Sequence, residues 1–177
     1  MSLQSQAESL KSFIRDVPDF PKPGIVFKDI TTLLKDPIAF RRSLDLFTVL
    51  CGEQPVDAVM AIESRGFILG SALADRLGVG FVPVRKPGKL PSRTIKCTYD
   101  LEYGTDCLEV HEDAFVRGQR VLVVDDLIAT GGTARAAGEL ARQLGATVAA
   151  YAFLVELGFL NGRAKLGGAE VLSLIRY

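Results

Sequence analysis

The densest chemistry in this chain of 177 residues lies in one run: Val121-Leu122-Val123-Val124-Asp125-Asp126-Leu127-Ile128-Ala129-Thr130-Gly131-Gly132-Thr133. An apolar stretch ends in two adjacent carboxylates, and a Thr-Gly-Gly-Thr turn then opens an Ala-rich helix. Glycines let backbone amides approach an anion closely, and a helix N-terminus adds partial positive charge. Thr130 and Thr133 can donate hydroxyl hydrogen bonds to the same anion, so the turn from Ala129 through Gly131 and Gly132 reads as a phosphate seat. Carboxylates repel phosphate, so Asp125 and Asp126 need another purpose. They suit vicinal hydroxyls, bound directly or through a divalent metal. A phosphate beside a diol is what a ribose 5-phosphate presents. Two familiar nucleotide loops do not fit: no Gly-rich loop ends in Gly-Lys-Ser/Thr, and no Gly-x-Gly-x-x-Gly follows the first strand.

Such a run works only at the end of a strand, and the rest of the chain supplies the strands. Ala58 to Ile62 and Gly80 to Val84 are short apolar runs that predict buried strands, with a helix between them from the Glu63-Ser64-Arg65-Gly66 loop to about Leu77. The strand from Arg120 to Val124 is followed by a predicted helix from Thr133 to Leu144, then strands at 147–155 and 171–175. Asp36-Pro37 is a helix start, after which Phe40, Leu44, Phe47 and Cys51 fall on one face. Leu10, Phe13, Ile14 and Val17 predict an earlier helix that Pro18 ends. Residues 85–91 are basic and broken by prolines, hence a loop, and 94–110 predict two extended arms around Tyr103-Gly104. Strands alternating with helices imply an α/β fold around a mainly parallel twisted sheet. In open sheets of this kind ligands bind beyond the carboxyl ends of the strands, where the Asp-Asp run falls. Residues 1–177 read as a single domain, with 1–35 and the 85–110 loop and hairpin as additions to its core.

Composition narrows the partners. Lys plus Arg and Asp plus Glu both total 21, which removes the general electrostatic argument for nucleic acid or membrane. No stretch approaches the roughly 20 apolar residues of a membrane span. The N-terminal residues lack the apolar core of a signal peptide. Cys51, Cys97 and Cys107 cannot all pair within the chain, none has metal-knuckle spacing, and His111 is the only histidine. A reducing cytosol fits these thiols best, and they and His111 are read as structural.

The 121–133 run closely resembles the phosphoribosyl-diphosphate motif of type I phosphoribosyltransferases. Further segments resemble the adenine-specific branch of that family: Pro18-Asp19-Phe20-Pro21, Pro23-Gly24-Ile25-Val26-Phe27-Lys28-Asp29-Ile30, Glu63-Ser64-Arg65-Gly66-Phe67, Arg85-Lys86-Pro87-Gly88-Lys89-Leu90-Pro91, Tyr99-Asp100-Leu101-Glu102-Tyr103-Gly104 and Leu154-Val155-Glu156-Leu157. They occur in order from about Phe20 to the C-terminus. Departures are small: position 28 is Lys where Arg is also common, and position 87 is Pro where some relatives carry a basic residue.

The resemblance implies purine salvage, in which adenine and phosphoribosyl diphosphate give AMP and diphosphate with Mg²⁺, in a cytoplasmic homodimer. It implies an N-terminal hood over the base and a flexible hairpin lid. Leaving-group departure places positive charge on the anomeric carbon and negative charge on diphosphate. Arg65, with Glu63 and Ser64 on the same loop, and Arg85, Lys86 and Lys89 on the basic loop suit the diphosphate. A non-proline cis peptide is expected between Glu63 and Ser64. Glu102 is the candidate for proton exchange with the purine, with Tyr99 and Tyr103 beside it on the lid. Val26, Phe27 and Leu157 are expected as walls for adenine, whose edge the backbone of Val26 and Lys28 could read. Asp125 and Asp126 are candidate contacts for Mg²⁺. Hypoxanthine/guanine and orotate enzymes share the phosphoribosyl motif, and some members of the fold are donor-sensing regulators. The hood segment favours adenine, and the chain has no spare length for a DNA-binding domain.

Overall fold

Apolar runs become strands buried on both faces when helices cover both sides of a parallel sheet. The computed structural model follows that rule and describes residues 2–100 and 104–177. In chain order the elements are α1 (Leu3–Glu8), a 3-10 turn (Ser9–Phe13), β1 (Arg15–Pro18), β2 (Val26–Asp29), α2 (Thr31–Lys35), α3 (Pro37–Gly52), β3 (Ala58–Ile62), α4 (Arg65–Leu77), β4 (Gly80–Val84), β5 (Thr94–Asp100), β6 (Thr105–His111), β7 (Arg120–Ile128), α5 (Gly132–Gln143), β8 (Thr147–Glu156), two 3-10 turns (Gly158–Leu160 and Gly162–Leu166) and β9 (Val171–Arg176).

Five strands form one parallel sheet in the order β4-β3-β7-β8-β9. Successive side chains on a strand point to opposite faces, so each central strand feeds two cores. Val59, Ala61, Leu122, Val124, Ala150 and Ala152 enter one core with Leu69 and Leu73 of α4 and Phe47 of α3. Met60, Ile62, Val121, Val123, Tyr151 and Phe153 enter the other with Ala137, Leu140 and Ala141 of α5. Among the described residues no helix is long and apolar enough to cross a membrane.

The topology then dictates where a ligand can sit. From β3 the chain crosses through α4 to β4 on one side, and from β7 it crosses through α5 to β8 on the other. The helices diverge at the β3/β7 boundary and leave a crevice beyond the carboxyl ends of those strands. The 63–66 and 125–133 segments are the two lips of that crevice.

Two antiparallel hairpins flank the sheet, β1-β2 and β5-β6. Val17, expected on the first helix, lies in β1 opposite Phe27. Its spacing is helical, but pairing with β2 satisfies the backbone of residues 15–18, while Leu10 and Ile14 still bury themselves in the core. Arg15 and Lys28 clasp this hairpin, donating to Asp29 at 2.5 Å and Asp16 at 2.7 Å respectively. Asp36 caps α3 as its sequence predicts, accepting from the amides of Ile38 at 3.0 Å and Ala39 at 2.8 Å. The β7 strand runs four residues beyond the predicted Val124, through both aspartates to Ile128, because its outer half pairs with Phe153, Val155 and Glu156 of β8.

Candidate active site

The two lips meet through charge. Arg65 opens α4 and donates through Nε to Asp126 Oδ2 at 2.5 Å. Burial works against the Arg65 charge, but the Asp126 carboxylate outweighs it and raises the guanidinium pKa. Asp125 accepts the Asp126 amide at 2.8 Å, yet burial and then the neighbouring Asp126 carboxylate push its own pKa well above the usual range. The two acids are thus unequal: Asp126 is tied to Arg65, while Asp125 carries the cost of its charge. The Glu63–Ser64 peptide bond is cis, as the resemblance implies.

Beyond Ile128 the chain turns through Ala129 and Thr130 into α5 at Gly132. Gly131 stands at the helix N-cap with φ +80°, a conformation that side-chain-bearing residues rarely adopt, and no side chain caps the first turn. The opening amides of α5 therefore face outward without a side-chain acceptor, the arrangement an anion needs. A second backbone closes on this turn from behind. A β-carbon on Gly131 would strike the Gly162 carbonyl, and one on Gly162 would strike the Ala129 carbonyl. Only two glycines allow that approach.

Arg163, next to Gly162, sets the position of this back-stop. Its guanidinium forks over Glu156 at the end of β8, with Nε donating to Oε1 at 2.7 Å and Nη2 to Oε2 at 2.6 Å. Its Nη1 donates to the Val171 carbonyl at 2.8 Å. Burial raises the Glu156 pKa, but Arg163 outweighs it, so the carboxylate stays ionised.

The basic loop after β4 is held by carboxylates of the protein itself. Glu63, on the opposite lip, accepts from the Lys86 amide at 2.9 Å, from Arg85 Nε at 3.3 Å and from the Lys89 ammonium. Burial pushes the Glu63 carboxyl up, and the Lys89, Lys86 and Arg85 donors overcome it, holding the pKa at about 2. Glu63 is thus the counter-ion of the basic loop here. Glu109 of β6 fixes the same loop by accepting from the Gly88 amide at 3.1 Å. Arg85 and Glu109 also exchange two backbone hydrogen bonds at 2.9 and 2.8 Å.

Lys86 points the other way, along the base of the β5-β6 hairpin. Its ammonium meets the Asp106 carboxylate and the Tyr99 hydroxyl, the latter at 3.3 Å. Tyr99 donates to Asp106 at 3.2 Å and accepts from Thr133 Oγ1 at 3.3 Å. Tyr99, expected on the lid, is buried and links the hairpin to Thr133 in the first turn of α5. Glu102 and Tyr103 lie outside the described residues.

Of the expected base-binding residues, Phe27 carries its ring to the crevice, with the Arg65 guanidinium 5.5 Å from its centroid and Phe20 edge-on at 5.3 Å. Val26 is about half exposed beside it. Lys28 carries its ammonium onto the Asp16 carboxylate at 2.7 Å and over the Tyr177 ring at 4.1 Å, away from Arg65. Leu157 follows β8 and donates its amide to the Ile128 carbonyl at 3.0 Å, against the root of the phosphate turn. His111 accepts from the Ser92 amide at 3.4 Å, and all three cysteines are free thiols.

The sequence reading does not single out Asp106, Gly162 or Arg163. Gly162-Arg163 carries no motif signal of its own, and only the fold places it behind the phosphate turn. Asp106 follows the hairpin tip, where register with Tyr99 could have marked it as that residue's cross-strand neighbour.

A parallel sheet whose switch point bears an acid pair, a glycine-tight turn and a facing basic loop has the architecture of a phosphoribosyltransferase. The family model described as "Phosphoribosyl transferase domain" matches residues 33–165. The adenine phosphoribosyltransferase of Thermotoga neapolitana is 58% identical over 168 residues, covering 95% of this chain and 99% of that one. Among solved structures, that of adenine phosphoribosyltransferase from Thermoanaerobacter pseudethanolicus superposes with a TM-score of 0.94 at 54% identity, covering 97% of this chain and 99% of that one. The Saccharomyces cerevisiae enzyme, complexed with adenine and an imino-altritol bisphosphate, matches with a TM-score of 0.91 at 46% identity over 96% of this chain and 98% of that one. The chain belongs to the adenine phosphoribosyltransferase family.

Proposed function

We propose that the protein transfers the 5-phosphoribosyl group of phosphoribosyl diphosphate to adenine, giving AMP and diphosphate in purine salvage. The observation that carries this reading is the meeting of three parts at one strand crevice: the uncapped 129–133 turn, the Asp125-Asp126 pair and the basic groups Arg65, Arg85 and Lys89, with Lys86 on the same loop. The adenine in the yeast relative's complex supports the choice of base.

The roles follow from the chemistry. The amides of Gly131, Gly132 and Thr133, with the Thr130 and Thr133 hydroxyls, seat the 5-phosphate. Asp125 and Asp126 accept from the ribose hydroxyls. Arg65, Arg85, Lys86 and Lys89 meet the charge that grows on diphosphate as the anomeric carbon–oxygen bond breaks. Ser64 stands on the same lip. Phe27, Val26 and Leu157 wall the purine, with the backbone of Val26 and Lys28 at its edge. Glu102 takes the proton that adenine loses as its ring nitrogen bonds to the sugar, and Tyr103 closes over it with residues 94–110 as a lid. Residues 1–35 act as the hood of a single 1–177 domain.

The donor set suits Mg²⁺ held chiefly by substrate. Among the described residues no three His, Cys, Asp or Glu side chains form a metal cage, and the carboxylates at the strand end before the 129–133 turn are Asp125 and Asp126, the latter paired with Arg65. Mg²⁺ is commonly held by one or two carboxylates plus substrate phosphates. When bound it offsets charge on the diphosphate. We further propose a cytoplasmic homodimer without nucleic-acid or membrane partners, consistent with its balanced charge.

A base panel tests the reading: phosphoribosyl diphosphate and Mg²⁺ with adenine, hypoxanthine, guanine, xanthine or orotate in separate assays. Diphosphate release with adenine alone is expected. Release with another base alone overturns the assignment of the hood, and donor binding without release with any base overturns the assignment as an enzyme.

A further inference from the structure

Every basic side chain proposed for the diphosphate already has an anionic partner. Arg65 has Asp126, Arg85 and Lys89 have Glu63, and Lys86 has Asp106. Asp126 and Glu63 stand on the lips of the crevice, where the motif reading expects acids. Asp106 does not: it stands on β6, belongs to no motif segment and is assigned no role by the reaction.

Its contacts are specific. One oxygen, Oδ2, takes both the Lys86 ammonium and the Tyr99 hydroxyl, while Oδ1 accepts its own neighbour's amide, Cys107, at 2.8 Å. Tyr99 reaches Thr133, so the chain of contacts Lys86–Asp106–Tyr99–Thr133 joins the basic loop to the phosphate seat. Burial raises the Asp106 pKa, but Lys86 and the Cys107 amide outweigh it, and the group is an anion at neutral pH.

We infer that Asp106 is a stand-in anion: it occupies Lys86 in the place of a diphosphate phosphate, and the donor must displace it to recruit that lysine. This rests on the proposed assignment of Lys86 to diphosphate. Three effects set the direction. The pair gives up its attraction when the lysine is recruited, an exposed fixed negative charge repels the incoming diphosphate, and against these Asp106 keeps a flexible side chain oriented. Both side chains are about a third exposed, at 36% and 29%, so the orienting benefit is small. The competition and the repulsion both oppose the donor. Asp106 therefore tempers donor affinity, and it is a positioning and affinity-setting residue that acts through Lys86.

The test is calorimetric titration of the full chain with Mg²⁺–phosphoribosyl diphosphate, comparing the native protein, Asp106→Asn, Lys86→Met and the double variant. Asparagine keeps the shape and the Tyr99 contact, and titration with AMP, which lacks diphosphate, checks that the fold and the phosphate seat persist. Asp106→Asn is expected to bind donor roughly one-and-a-half- to fivefold more tightly, the size of one solvent-accessible ion-pair contribution. Lys86→Met is expected to bind donor more weakly, and in that background the Asp106→Asn gain is expected to shrink sharply. No gain from Asp106→Asn, or an equal gain in both backgrounds, overturns the inference while leaving Lys86 as a diphosphate group. Unchanged donor affinity in Lys86→Met overturns that assignment and the inference with it.

Discussion

Replacing Gly162 with alanine probes how the phosphate turn is held, at a residue outside the 121–133 motif. A β-carbon at this position strikes the Ala129 carbonyl oxygen, with Ile128 Cγ1 at 2.9 Å and the Gly131 nitrogen at 3.1 Å. The first obstacle is backbone, so no side-chain rotation relieves it. Ordinary contact begins near 3.4 Å. The turn must therefore recede by roughly 1 Å, a misplacement that can cost on the order of 10²-fold in a positioned reaction. The same estimate follows from hydrogen bonding: one lost bond to a charged phosphate is worth about 1.5–3 kcal/mol, or roughly ten- to a hundredfold in donor affinity. Gly162 has no left-handed φ, so alanine brings no backbone penalty, and overpacking should lower stability by only about 1–3 kcal/mol. Calorimetry with phosphoribosyl diphosphate, supported by steady-state KM for donor and for adenine, reads the effect. Donor binding should collapse while the protein still melts cooperatively. A folded Gly162→Ala protein that binds donor as tightly as the native one would refute the back-stop reasoning.

Other variants test separate links. Asp125 has a raised folded pKa, so the stability it contributes is present below its ordinary value and is lost as pH rises. Asp125→Asn should therefore raise the melting temperature of the ligand-free protein at pH 7, with the gain fading toward acid, while donor affinity falls. Glu63 behaves oppositely: its folded pKa is about 2 against an ordinary 4.5, so its stabilisation is present above about 4.5 and is lost as pH falls toward 2. Denaturant midpoints should thus fall more steeply across that window in the native protein than in Glu63→Gln. Arg163→Ala strips the fork from the buried Glu156 carboxylate and should cost about 2–4 kcal/mol in urea unfolding, less than a fully buried pair because Arg163 is 39% exposed. A loss well under that range would mean Arg176, 3.7 Å from the same carboxylate, takes over.

The sheet is legible in the sequence where burial on both faces leaves unbroken apolar runs. Residues 58–62 and 80–84 become β3 and β4 with the expected bounds, and Arg65 to Leu77 the helix between them. Local pattern misleads where a distant partner decides. Val17 has helical spacing but pairs with Phe27, and the aspartates lie within a strand because β8 extends alongside them. The strand end, tight turn and helix start of the 121–133 run are legible because their pattern is local to a dozen successive residues, and the proposed phosphate-seating role rests on that pattern. Its supports are not. Gly162 acts by lacking a side chain, and Asp106 acts through a lysine on another loop, so neither leaves a mark that spacing can reveal. The basic loop reads as charge suited to diphosphate, and only its placement in space shows Glu63 as its counter-ion.

The meeting of Gly131 with Gly162 also bears on how this phosphate turn could be transplanted. The run from Asp125 to Thr133 looks like a portable cassette, a strand end and a helix start that could be grafted onto any parallel sheet. Half of what shapes it arrives from beyond β8, as a bare backbone that reaches into the curve of the turn and is bolted down by Arg163. A graft of the run alone would carry the amides without the mould that sets their spacing, and the smallest transferable unit is the whole stretch from β7 through the Gly162–Leu166 turn.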